Sequence, residues 1–361
     1  MWNIVIWGTG EAADYIVAET ELYKKNINIV AYTDSNPKRW GNLYKGKRIC
    51  PPNIALQLAY DSIVISSEKY YSDIYKLINE KYDIPSERIV NRYEILKVLF
   101  LDKFKGSLDT EIIDAIKYMK EHNFCPFNQY VEFKKEPYWV KWDKVECLPY
   151  IMFEDKKMYY PARRKFDILD GREVIYDLMA EQSPNSPHIY INDRIKVEQG
   201  DVICDAGVCE GNFALKYIEK ASKVYLVECD EDWFLPLEKT FDQFKDKVVF
   251  CKSFLGRYSY GNNINLDTLI DGRLDFLKMD IEGAEVDALL GAKHCFRNNN
   301  VKSSICSYHR HNDEYFLRNI LDMYGYESFC SSGYMTFLGD EEMYVNPEFR
   351  RGIVYGIRGD K

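Results

Sequence analysis

The 361-residue sequence contains no stretch approaching ~18 consecutive apolar residues, so nothing in it reads as a membrane-spanning helix. It has no basic excess either: 48 Lys and Arg stand against 57 Asp and Glu, a formal net charge of −9. That balance argues against nucleic-acid partners and against membrane adhesion. The ten cysteines include no Cys-x-x-Cys pair, which speaks against a zinc site or a disulfide framework. Cys204, Cys229, Cys251 and Cys306 fall in apolar runs and are predicted as reduced core residues. Residues 1–8 lack the basic region and small-residue cleavage site of a signal peptide, so the expectation is a cytoplasmic enzyme. No short-period repeat is present. What is there is an ordinary globular composition, 46% hydrophobic, at a length that suggests two or three domains.

Three regions follow from the patterning. Residues 1–95 alternate strands (3–7, 28–33, 62–66, 88–90) with helices (from 10 through Tyr23, and 70–81), the signature of a parallel sheet covered on both faces. Residues 96–195 hold one amphipathic helix at 108–122 and then an aromatic-rich stretch, read as an antiparallel lead-in. Residues 196–361 alternate again, with strands at 202–205, 224–228, 248–251, 276–280 and 304–308. Helices are expected at 212–219, 232–244, 284–296 and 314–324. The last two strands, 334–338 and 352–358, have no helix between them and read as a terminal pair. The fold class is therefore α/β, with two doubly wound, mostly parallel sheets.

The most informative segment is Asp205-Ala206-Gly207-Val208-Cys209-Glu210-Gly211-Asn212. An apolar strand ends in an acid, and two glycines then open a helix; Gly207 permits a sharp turn and Gly211 a close ligand approach. The next strand ends in Glu228, placed to accept hydrogen bonds from a ribose diol. A dinucleotide would set a diphosphate beside Asp205 and Glu210, which would repel it. A cationic ligand with an ammonium and a sulfonium centre suits those acids, a description that fits S-adenosylmethionine.

Residues from about 170 to 358 resemble the FkbM family of S-adenosylmethionine-dependent methyltransferases. The resemblance rests on the glycine loop, on Val224-Tyr225-Leu226-Val227-Glu228, and above all on Leu277-Lys278-Met279-Asp280-Ile281-Glu282-Gly283-Ala284-Glu285. Glu181-Gln182, the segment Ser186-Pro187-His188-Ile189-Tyr190, and Tyr308-His309-Arg310 are similar as well. Cys209-Glu210 departs from the pattern of many members, which have Asn followed by an apolar residue. The resemblance implies a class I methyltransferase fold ending in an antiparallel hairpin, with O-methylation of a sugar or another hydroxyl-bearing metabolite. Asp205, Gly207, Glu210, Gly211, Asn212, Glu228 and Asp280 are the expected cofactor residues, and His188, Lys278, Tyr308 and Arg310 the expected substrate residues.

A hydroxyl must lose its proton to accept a methyl group, and a histidine can take it near neutral pH. His309, at the end of the fifth strand, is the expected base, with Asp280 or Glu282 orienting it or the substrate. Asp280 could instead be a polar group beside the cofactor. A divalent cation is not predicted, but Asp280, Glu282 and His309 are the candidates to hold one, with His311 expected on the same side as His309. Glu285 reads as sharing a helix face with Glu282. An amine acceptor (N-methylation) would depend little on His309. The aromatic linker is compatible with a homodimer.

In the N-terminal region, Gly8-Thr9-Gly10-Glu11-Ala12-Ala13 and Asp34 meet a dinucleotide fingerprint taken alone. About 95 residues supply one mononucleotide half, so Gly8, Gly10 and Asp34 mark a site for the nucleotide part of an activated sugar, or the domain is a scaffold. Asp34-Ser35-Asn36-Pro37 is similar to the small nucleotide-sugar-binding domains that precede some bacterial sugar acyltransferases. The rival function is an NAD-dependent sugar oxidoreductase using this domain. Which cofactor binds discriminates the two.

Overall fold

The computed structural model describes residues 1–14, 16, 27–67, 69–122, 124–126, 137–175, 178, 181–337, 343 and 346–359. The chain divides into two compact units, residues 1–125 with 340–348, and residues 126–339 with 349–361. Among the described residues no helix is long and apolar enough to cross a membrane.

In the first unit, β1 (Trp2–Trp7), β2 (Ile27–Thr33), β3 (Leu43–Tyr44), β4 (Lys47–Cys50), β5 (Ser62–Ile65) and β6 (Ile89–Asn91) form a sheet ordered β3-β4-β2-β1-β5-β6. All pairings but β3–β4 are parallel. Every residue of β5 is buried, as expected of a strand covered on both faces. The expected helix after Gly10 is seen at residues 11–14, and its continuation to Tyr23 lies outside the described residues. The predicted helix at 70–81 is an α-helix only over Tyr71–Lys76 and continues as a wider π-helix over Leu77–Lys81.

A helix at Tyr93–Phe104 carries the chain past residue 95 and was not read from the sequence. Its segment Tyr-Glu-Ile-Leu-Lys-Val-Leu-Phe-Leu is apolar on nearly every side, so it shows no amphipathic period. The helix at Thr110–Glu121 agrees with expectation, because Asp109 caps it by accepting from the Glu111 and Ile112 amides and Ala115, Ile116 and Met119 line one buried face.

The second unit opens with antiparallel structure. Strands β7 (Tyr138–Trp139), β8 (Lys141–Asp143), β9 (Leu148–Phe153), β10 (Lys156–Tyr159), β11 (Asp167–Leu169) and β12 (Arg172–Ile175) form two three-stranded sheets, β10-β9-β8 and β11-β12-β7. The main sheet uses β13 (Val202–Ala206), β14 (Lys223–Glu228) and β15 (Val248–Lys252). Past the small pair β16 (Phe254–Leu255) and β17 (Asn263–Ile264), it continues with β18 (Phe276–Met279), β19 (Lys302–Cys306), β20 (Tyr326–Cys330) and β21 (Ile353–Arg358). Its order is β15-β14-β13-β18-β19-β21-β20. The first five strands are mutually parallel, and β21 runs antiparallel between β19 and β20.

The terminal pair is thus antiparallel as expected, but its first strand is β20 rather than 334–338. The helix Asp313–Met323 stops at Tyr324, and Gly325, at φ +83°, turns the chain at once into the sheet. Around 334–338 there is one bridge, Met335 to Arg350, and Leu338 lies outside the described residues. The predicted helix at 284–296 is two helices, Glu285–Leu290 and Lys293–Asn298, broken at Gly291-Ala292.

Candidate functional site

The parallel strands point their C-terminal ends at a pocket with a volume of 670 Å³. Gly207 follows β13 at φ +72°, and its amide donates to Val227 O at 2.9 Å. A Cβ on Gly207 would lie 1.6 Å from the carbonyl oxygen of Asp280. Only glycine lets β13 turn this close to the end of β18, and this close approach sets the two walls of the pocket.

Gly207, Glu210, Asn212, Glu228 and Asp280 line the pocket, as do the expected substrate residues His188, Lys278, Tyr308 and Arg310. Asp205 and Gly211 do not. Asp205 is fully buried, with Oδ1 3.1 Å from Lys278 Nζ and Oδ2 accepting from the Ala214 amide. Burial pushes its carboxyl above the usual range, against the pull of Lys278. Desolvation works against the Lys278 ammonium, but Asp205 and Asp280 outweigh it and hold the proton on. Gly211 faces the rings of Phe241 and the Leu237 side chain.

Glu228 closes the loop rather than standing free at the strand end. Oε2 accepts from the Cys209 amide, and Oε1 accepts from the Cys229 and Asp230 amides. Cys229 is exposed and lines the pocket, which corrects its reading as a core residue; Cys204 and Cys306 are buried as expected, and Cys251 is half-buried.

Asp280, just beyond β18, is the hub of the inner wall. Tyr190 OH donates to its Oδ2 at 2.8 Å, and His188 Nε2 lies 3.4 Å from the same oxygen. Burial alone would raise this carboxyl. The hydrogen bond from His188 and the charges of His188, Lys278 and His309 reverse the sign and hold it well below the usual carboxylate range. Burial, reinforced by Asp280, pushes the Tyr190 and Tyr308 phenols up, so both stay protonated donors.

His309 is 2% exposed and is not among the residues lining the pocket. Its Nε2 lies 3.5 Å from both Asp280 Oδ1 and Glu282 Oε2, and its Nδ1 2.9 Å from Glu285 Oε1. It reaches the pocket only through those carboxylates. His311 is exposed while His309 is buried, because residues 309–312 form a bend and a turn instead of the extended segment that would put the two on one side. Glu285 is not a surface partner of Glu282: it is fully buried and accepts from the Ile281 amide at 2.8 Å. Sequence reasoning missed it as a site residue, and missed Tyr190, whose contact with Asp280 spans 90 residues. A carboxylate beside an apolar helix start was the one available signal for Glu285; Tyr190 had none beyond its place in the lead-in.

In the first unit, Gly8, Gly10 and Asp34 line a pocket of 570 Å³. Asp34 Oδ2 accepts from both the Thr9 amide and the Thr9 hydroxyl and lies 3.3 Å from Arg39, while Oδ1 accepts from the Asn36 amide. The acid therefore knits the glycine loop to the end of β2.

Residues 1–90 match the model "C2185-like, N-terminal", and residues 156–328 match the "Methyltransferase FkbM domain". Nothing among curated proteins matches the chain. Among solved structures, the methyltransferase FkbM from Methylobacillus flagellatus KT is 15% identical, with 98% of this chain and 89% of that one covered, at a TM-score of 0.43. The magnesium protoporphyrin IX methyltransferase of Synechocystis PCC 6803 with bound SAM is also 15% identical, over 45% of this chain and 71% of that one, TM-score 0.31. A precorrin-6y C5,15-methyltransferase from Geobacter metallireducens GS-15 is 11% identical, over 46% and 84%, TM-score 0.33.

Proposed function

Because residues 156–328 are an FkbM-family, S-adenosylmethionine-dependent methyltransferase domain, we propose that the chain binds this cofactor in the 670 Å³ pocket and methylates a hydroxyl of a sugar or nucleotide-activated sugar. The donor set suits the cofactor. Glu210, Glu228, Asp230, Asp280 and Glu282 line the pocket against Lys278 and Arg310, and Lys278 is already matched by Asp205. A ligand carrying an ammonium and a sulfonium is favoured by that excess of carboxylate.

When bound, S-adenosylmethionine supplies an electrophilic methyl group. The acceptor hydroxyl must be oriented and relieved of its proton as its C–O bond forms and the C–S bond breaks. The observation that carries the reading is Asp280 at the pocket wall with His188 at 3.4 Å from one oxygen and the Tyr190 hydroxyl on the same oxygen. His188, which lines the pocket, is the proton acceptor; Asp280 orients it and stabilises the imidazolium that forms. His309 supports Asp280 from behind. The pocket around Gly8, Gly10 and Asp34 is the candidate for the nucleotide part of an activated sugar, with Arg39 at its rim.

The test uses purified full chain, labelled cofactor, and a panel of free and nucleotide-linked sugars. Methyl transfer to a hydroxyl is expected. His188→Ala should lower turnover at least ~10²-fold, the lower range for general-base catalysis, while binding of S-adenosylhomocysteine survives. Unchanged turnover in that variant overturns the base assignment, and NADH binding without S-adenosylhomocysteine binding overturns the whole reading.

A further inference from the structure

Behind Asp280 the fold buries a histidine and a glutamate, His309 and Glu285, beside the exposed side chain of Glu282. Lys278 is committed to Asp205 at 3.1 Å. That leaves His309 among Asp280, Glu282 and Glu285, with Glu285 fully buried and His309 2% exposed. None of these contacts satisfies the imidazole. Both ring nitrogens of His309, and Oε2 of Glu285, are buried without a hydrogen-bond partner, even though Nδ1 lies 2.9 Å from Glu285 Oε1. Each such group is costly to bury, more so when charged, unless something fills the nest.

Asp280, Glu285 and His309 each offer one ligand atom, and these atoms lie within 4.8 Å of one another. Around an octahedral ion with bonds of about 2.1 Å, neighbouring ligand atoms stand about 3 Å apart and opposite ones about 4.2 Å. A close nitrogen–oxygen approach without hydrogen-bond geometry is what converging ligands produce. The geometry points to a divalent-cation site made by Asp280, Glu285 and His309 at the inner wall of the pocket. Carboxylate oxygens with a single imidazole suit a hard ion such as Mn²⁺ or Mg²⁺. Asp280 and Glu282 both line the pocket and give the ion its way in.

A second cluster, His188, Asp280 and Cys306, shares Asp280 and competes for the assignment. It is the poorer host. Tyr190 donates at 2.8 Å to the Asp280 oxygen nearest His188, whereas Tyr308 reaches the oxygen facing His309 only at 3.5 Å, and burial keeps the Cys306 thiol protonated. His188 also remains available there as the proton acceptor. The role of the ion rests on the methyl-transfer reading: it would hold the acceptor oxygen and lower the pKa of its hydroxyl, with His188 taking the proton.

The experiment is a titration of EDTA-treated full chain with Mn²⁺, followed by electron paramagnetic resonance, with S-adenosylhomocysteine binding measured in parallel. Saturable Mn²⁺ binding with a nitrogen coupling in the spin-echo spectrum is expected. The coupling should vanish in His309→Ala and persist in His188→Ala. Glu285→Gln, which keeps side-chain size, should weaken Mn²⁺ at least about tenfold and decides the matter if His309→Ala does not fold. A chain that binds S-adenosylhomocysteine but no Mn²⁺ overturns the cation site and spares the function. Coupling lost in His188→Ala alone also overturns it, by moving the ion to the other cluster. Mn²⁺ binding without S-adenosylhomocysteine binding supports the site and sinks the methyl-transfer reading.

Discussion

Asp205 and Lys278 sit opposite each other in the register of β13 and β18, and their side chains form an ion pair of 3.1 Å that is closed off from solvent. Lys278 Nζ also donates to Gly207 O at 2.5 Å. The pair therefore joins the two strands that frame the pocket and pins the glycine loop between them. Its role is to build the crevice, and the carboxylates facing the pocket besides the hub Asp280 include Glu210 and Glu282.

Lys278→Met leaves Asp205 buried without its cation. Breaking one side of a buried pair costs about 3–5 kcal/mol. Urea denaturation of the variant should show a loss of that order, and Lys278→Met with Asp205→Leu should recover part of it. A loss below about 1 kcal/mol would place the pair among the weakly contributing surface type.

Gly207→Ala puts a methyl group 1.6 Å from the Asp280 carbonyl oxygen at φ +72°. Strand ends must separate, so insoluble protein or a thermal midpoint far below wild type is expected, with no S-adenosylhomocysteine binding. Gly10→Ala in the first unit meets nothing within 4 Å and should fold normally. The pair of melting curves separates a glycine required by packing from one that is not.

Burial raises the Asp313 carboxyl to about 6, although the Arg310 amide, His309 and Arg310 pull the other way and Glu285 adds to the rise. A folded pKa above the unfolded value means the native state binds the extra proton. The contribution is fully present below about pH 4 and lost as pH rises through 6, in total up to roughly 3 kcal/mol. Asp313→Asn retains an acceptor for the Arg310 amide and removes the titration. Urea stability measured in EDTA between pH 4 and 7 should fall less steeply in the variant than in the wild type.

Cys209 and Cys229 are exposed and line the pocket, and Cys147 is exposed away from it. Desolvation pushes the Cys209 thiol up, so it is slow to react in either state, and bound S-adenosylhomocysteine should protect Cys229 from alkylation while Cys147 reacts at its unliganded rate. Peptide mass mapping after iodoacetamide treatment reads this directly. Equal labelling of Cys229 with and without the ligand would place the cofactor elsewhere.

The strands that pass through the core were legible because burial on both faces leaves an unmistakable apolar run, as in β5 and β13. The helix Tyr93–Phe104 escaped because its apolar residues surround it and give no period. The strand β20 escaped because the signal for it is the turn at Gly325, not any alternation in Tyr326–Cys330. At the site, Asp280, Glu228 and the glycine loop could be found from their positions at strand ends. Glu285 could not be distinguished from a surface acid, since spacing along a helix says which residues are neighbours and not which face is covered.

The sequence by itself determined the alternating α/β order, the glycine loop after β13 and the acids at the strand ends, all of which depend on interactions spanning a few residues of backbone. Only the tertiary structure decided which of those acids is spent and which is free. Asp205 lost its expected role to Lys278, 73 positions away, because parallel pairing sets their side chains on the same side of adjacent strands. Asp280 gained His188 and Tyr190 from the lead-in because the folded chain returns that segment to the end of β18. Charge pairing acts through space at a few ångströms, and distance along the chain carries no record of it.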